Sequence, residues 1–168
     1  MTGMTGMTGM TGAAGDEAVR RAIELTPDAS TAARTVDVTT TGRRTGLPRR
    51  IEIFFYRVAG RTYLCSGTVP SPSWYVNLVA DPHLTLHLKH RVRADLAATA
   101  RPVTDPGERR RVLAAIVADL NQPANPGHLA QPVLLEDWLD SRLVELTFAD
   151  GPRLAVSGSA PRGPAPRP

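Results

Sequence analysis

The chain has 168 residues, 42% of them hydrophobic, and a formal net charge of +4, enough apolar content for the core of one ordinary domain. No apolar run approaches the roughly 18–20 residues of a bilayer-spanning helix, and the N-terminus lacks the basic region and the apolar stretch of roughly 7–15 residues that mark a secretory signal. The single cysteine, Cys65, rules out an intrachain disulfide and a thiolate metal cluster and fits a reducing compartment. A cytoplasmic location follows as the expectation, with peripheral membrane contact left open. Among the 20 basic residues only Lys89 is a lysine. The basic clusters, Arg43-Arg44, Arg49-Arg50 and Arg109 to Arg111, are short and not interleaved with aromatics, so nucleic acid is not an expected partner.

In chain order, residues 1–16 open on a Met-Thr-Gly repeat with no helical or strand period and are expected to be disordered. Residues 17–155 form the expected domain, and the Pro/Arg-rich residues 156–168 a disordered tail. Ala18 to Leu25 carries a modest apolar face that Pro27 ends. Val36 and Val38 then alternate with Asp37 and Thr39, the period of a strand. Thr41 to Pro48 interrupts with turn chemistry: two glycines permit positive φ, and Pro48 excludes helix at Leu47. Ile51 to Val58 and Arg61 to Ser66 read as a hairpin about Ala59-Gly60.

Ser71 or Ser73 is the expected cap of a short helix through Trp74, Tyr75, Leu78 and Val79, closed by Asp81-Pro82. Leu84, Leu86 and Leu88 alternate with polar residues in a half-buried antiparallel strand, and Val92 to Val103 continues as its partner. A second helix follows Thr104, its expected N-cap, with an apolar stripe of Val112, Leu113, Ile116, Val117 and Leu120. The arginines 109–111 form its expected wet face. Asn121 to Pro132 is a long Pro/Asn/Gly loop of the kind that covers sites. A short helix at Leu134 to Asp140 carries Trp138, and Leu143 to Phe148 is a last strand. Five or six mostly antiparallel strands with short helices define a mainly β, α+β chain closed or partly closed into a barrel. Alternating βαβ units and glycine-rich nucleotide fingerprints are absent from the sequence.

Two segments carry a family resemblance. Val38 to Arg49 reads V-T-T-T-G-R-R-T-G-L-P-R, and Trp74 to Pro82 reads W-Y-V-N-L-V-A-D-P. Both, in this order and joined by a hairpin, resemble the deazaflavin-dependent nitroreductase/quinone reductase family over about Val36 to Leu120. The resemblance implies a split β-barrel of the FMN-binding type. It also implies a 5-deazaflavin cofactor, coenzyme F420, and hydride transfer to a quinone, nitro or related conjugated acceptor. The tail of that cofactor carries a phosphodiester and an oligoglutamate. Such an anion asks for planar cationic forks and free backbone N–H groups, which a glycine-bracketed turn with Arg43, Arg44, Thr45 and Arg49 can supply.

By the same resemblance Ser66 and Gly67, at the loop before the helix, and Trp74 and Asn77 within it, complete the expected cofactor-binding set. Trp74 and Leu78, one helical turn apart, can equally be core residues, and Asn77 a hydrogen-bonding scaffold. Where the family has a lysine after the serine, this chain has Gly67, and it has no tyrosine after Tyr75. No catalytic side chain follows from the sequence; Tyr56 and Tyr63 are the candidates. His83 and His87 share a strand face, but two ligands do not make a zinc site, and His128 lies in the far loop, so no metal is expected. The alternatives are an FMN-binding oxidoreductase of the same fold and a non-enzymatic carrier of an apolar ligand, acting as monomer or homodimer.

Overall fold

The computed structural model describes residues 13–26, 29–122 and 131–149. The remaining parts of the expected disordered ends, His128 and most of the 121–132 loop lie outside the described residues. The first helix, α1 (Ala13–Glu24), begins inside the segment expected to be disordered. A second short helix, α2 (Thr31–Arg34), is capped by Ser30, whose hydroxyl accepts from the Ala33 N–H at 3.1 Å. With four residues it is too short to show a helical period.

Six strands follow the expected order: β1 (Thr35–Thr41), β2 (Pro48–Val58), β3 (Arg61–Cys65), β4 (His83–Leu88), β5 (Ala94–Pro102) and β6 (Leu143–Phe148). They close into a barrel in the order β1-β2-β3-β6-β5-β4, with β4 returning to β1 and every pair antiparallel. The β2–β3 hairpin turns on Ala59 and Gly60, with φ of 49° and 77°, the pair of positive values that a type I′ turn demands. Alternation decides what lies inside. Val36 and Val38 from β1, Phe55 from β2, Leu64 from β3, Leu84, Leu86 and Leu88 from β4, and Val144 and Leu146 from β6 fill the interior. The small side chains of Ala98 and Ala100 complete it from β5.

Helix α3 (Ser73–Ala80) sends Trp74 and Leu78 into this interior cluster beside the β1 end that holds Thr40. Near the other end of β1, Val19 and Ala22 of α1 and Leu25 just beyond it pack on the same cluster. A second apolar cluster lies on the outer face of the barrel. Tyr56, Tyr63, Cys65 and Leu143 pack there under α4 (Pro106–Asn121), with Trp138 of α5 (Leu135–Trp138) against them.

Two capping expectations change. Asp105 rather than Thr104 caps α4, its carboxylate accepting from the Glu108 N–H at 2.8 Å, with Pro106 in the first turn. The position before α3 is Pro72, and neither flanking serine caps the helix. The arginine run on α4 is also only partly a wet face. Arg110 and Arg111 are exposed, but Arg109 turns inward. Its guanidinium donates to the carbonyls of Val103 (3.0 Å), Leu139 (2.8 Å) and Ser141 (2.7 Å). One rigid fork thereby ties α4 to the ends of β5 and α5. We expect Arg109→Ala to lower unfolding free energy in urea by about 1–3 kcal/mol, because three carbonyls lose their donor. Arg109→Lys should recover only part of it, and parental stability in Arg109→Ala would refute the staple.

Candidate functional site

The turn between β1 and β2 is built by its glycines and by one buried amide. The Gly42 N–H donates to Leu47 O (2.8 Å) and the Gly46 N–H to Gly42 O (2.7 Å). Gly46 has φ of +68°, and a Cβ on Gly42 would lie 2.8 Å from Thr45 Oγ1 and 3.1 Å from Leu47 O. Both positions therefore demand glycine, one for its dihedral and one for space. Thr45 Oγ1 accepts from the Leu47 N–H at 3.2 Å.

From α3, buried Asn77 reaches across. Its Oδ1 accepts from the Arg43 N–H (3.1 Å) and its Nδ2 donates to Thr40 Oγ1 (3.1 Å). The tip is fixed from behind, and the N–H groups of Arg44 and Thr45 have no acceptor among the described residues.

Turn and helix enclose a groove of about 720 Å³, within the usual range for small-molecule sites. Arg43, Arg44, Thr45, Arg49, Trp74 and Asn77, six of the eight residues expected from the sequence, line it together. Ser71 and Ser73, expected as caps, instead stand on its wall with hydroxyls that make no hydrogen bond among the described residues. The N-terminus of α3 opens on the same wall, and its first N–H groups lack intrahelical acceptors, as at any helix start.

No carboxylate is among the described lining residues. Arg50 is held by Asp37 at 2.9 Å. Arg43, Arg44 and Arg49 are exposed and form no ion pair among the described residues. Unpaired guanidinium groups, free backbone N–H groups, two hydroxyls and a helix N-terminus on one concave surface form an anion-receiving site.

Ser66 and Gly67 are not on this groove. Ser66 extends the β3–β6 ladder: its N–H donates to Arg142 O (2.9 Å) and its Oγ accepts from the Arg142 N–H (2.8 Å). Gly67, at φ +57°, lies against Trp138, whose ring would be 3.3 Å from a Cβ there. Tyr56 and Tyr63 are also elsewhere, buried beneath α4, and burial pushes both phenols above their ordinary range. His83 binds Asp81 (2.8 Å), whereas His87 bridges Thr39 Oγ1 (2.7 Å) and Asp95 (2.6 Å). Burial likewise raises the Cys65 thiol, as in a packed rather than a reactive cysteine.

Barrel and groove together define a split-barrel protein with an arginine-lined cleft at one mouth. The fold matches a Listeria innocua protein assigned by name alone to the pyridoxamine 5'-phosphate oxidases, with 13% identity over 80% of this chain and 93% of that one and a TM-score of 0.51. It also matches a conserved hypothetical protein of Mycobacterium tuberculosis, with 16% identity over 88% and 92% of the two chains and a TM-score of 0.54. The family model for F420H(2)-dependent quinone reductase matches residues 27–125, more than half of the sequence, and the chain belongs to that family. The matched span contains every residue of the groove.

The Asn77 bridge is open to direct test. In Asn77→Ala the buried Thr40 hydroxyl and the Arg43 N–H lose their partner, and we expect a loss of about 1–3 kcal/mol in stability. Hydrogen exchange at the Gly42 and Gly46 amides should accelerate by more than that global loss explains. Equal acceleration across the barrel would argue against a local role.

Proposed function

We propose that this member of the family binds coenzyme F420 through the arginine groove and reduces a quinone, nitro or related conjugated acceptor. What supports the binding mode is the convergence of Arg43, Arg44 and Arg49, all without carboxylate partners among the described residues, on one groove with the free N–H groups of Arg44 and Thr45. A phosphodiester and an oligoglutamate are the anions such a surface suits, with guanidinium forks matching their oxygens bidentately. Ser71 and Ser73 would add hydroxyl donors, and Asn77 would hold the turn rather than touch the ligand. When bound, the coenzyme supplies two electrons as hydride. The chain's part is to bind the tail, to present an apolar wall of Ile51, Trp74 and Val76, and to limit water at the reacting face. Tyr56 and Tyr63, buried under α4, are not assigned as proton donors. No observation favours FMN over the deazaflavin.

Fluorescence titration of the purified chain tests the reading. Oxidised F420 should bind tightly and FMN weakly. Arg44→Ala and Arg49→Ala should each weaken F420 about tenfold, the scale of a lost charge-assisted hydrogen bond, and rising salt should weaken it further. FMN binding alone, or arginine variants that bind F420 as the parent does, would overturn the assignment. With F420 bound, a screen of quinones and nitroaromatics identifies the acceptor, whereas binding of neither coenzyme would leave the carrier of an apolar ligand.

A further inference from the structure

A second groove lies near the other end of β1. It is bounded by α1, α2 and the β4–β5 turn and encloses about 690 Å³. Thr35 lines this groove and Thr40 the arginine groove, so the two are separated by about 16 Å of extended strand. The floor is apolar, made by Ala22, Leu25, Ala29, Leu88 and Val92, while Arg21, Lys89, His90 and Arg91 stand around it.

Among the described lining residues its charge is one-sided. No aspartate or glutamate is among the described lining residues. Arg21 is bound to Glu17 at 3.0 Å, and Lys89 to Asp37 and Glu52. Arg91 has no partner among the described residues, and it sits at φ +56°, a left-handed conformation that a residue with a Cβ seldom takes. An apolar trough with a guanidinium at its rim that has no ion pair among the described residues complements a ligand of matching polarity.

We propose that this groove binds a small amphipathic anion, an apolar body bearing a single carboxylate or sulfonate, with the head group on Arg91 and the body on the alanine and leucine floor. The site is independent of the arginine groove and does not depend on the F420 reading.

Titration of the full chain with 1-anilinonaphthalene-8-sulfonate tests it. The probe should bind saturably with enhanced emission. Decanoate should displace it, and decylamine, with the same chain and the opposite charge, should not. Arg91→Gly removes the cation and suits the left-handed backbone, so it should lower probe affinity about tenfold with no fall in Tm. Ala22→Trp, which fills the trough, should abolish binding. The proposal is overturned by non-saturable binding, by equal displacement with decylamine, by parental affinity in Arg91→Gly, or by displacement with pyrophosphate, which would place the probe at the arginine turn. It is equally overturned if sedimentation shows a concentration-dependent dimer that excludes the probe, since the occupant would then be a second copy of the chain.

Discussion

The carboxamide of Asn77 is the contact on which the arginine groove depends. It is buried on α3, and it joins that helix to β1 through Thr40 and to the turn through the Arg43 N–H. An amide has both a donor and an acceptor end. Few side chains of this size could satisfy a hydroxyl and a backbone N–H from one position. With the rear of the turn so fixed, the Arg44 and Thr45 N–H groups are left without an acceptor among the described residues. Remove the amide and the turn keeps its glycines but loses its anchor, so preorganisation would be lost before the charges are.

The barrel explains why α3 can supply that anchor. A closed antiparallel barrel has no free edges, but each mouth exposes the ends of its interior side chains. Trp74 and Leu78 cover them near Thr40, and Val19, Ala22 and Leu25 cover them near Thr35. The apolar face of α3 therefore fixes its rotation, and its rotation fixes where Asn77 points. Packing inside the barrel and hydrogen bonding outside it are set by the same short helix. Val79 is left exposed on the far side, the ordinary consequence of a helix that buries one face.

The strands were legible because their alternation reports directly on an interior and an exterior. Leu84, Leu86 and Leu88 announce β4, and Leu143 to Phe148 is β6 as expected. Helix ends were less legible. Asp105 and Thr104 are both good caps by composition, and only the geometry selects Asp105. Ser71 and Ser73 have cap chemistry, yet neither caps α3, so two hydroxyls read as structural stand on the groove wall. The lining of the groove was legible where residues lie near in sequence, as from Arg43 to Arg49. Ser66 and Gly67 do not line the groove, and their partners, Arg142, Ser141 and Trp138, lie far along the chain where sequence proximity gives no sign of them. Arg109 was misread for the same reason: a run of arginines says nothing of which one meets three carbonyls.

Charge pairing occupies many of the cations outside the arginine groove. Arg101 meets Glu108 and Glu145, Arg61 also meets Glu145, Arg50 and Lys89 share Asp37, and buried Arg34 meets Asp119. Those pairs hold strands and helices together, although the exposed ones contribute little each. Arg43 and Arg44 in the turn and Arg49 at the start of β2 have no such ion pair among the described residues, and neighbouring like charges oppose the compact form. An anion that binds only the folded turn removes this repulsion and adds its own binding free energy to stability.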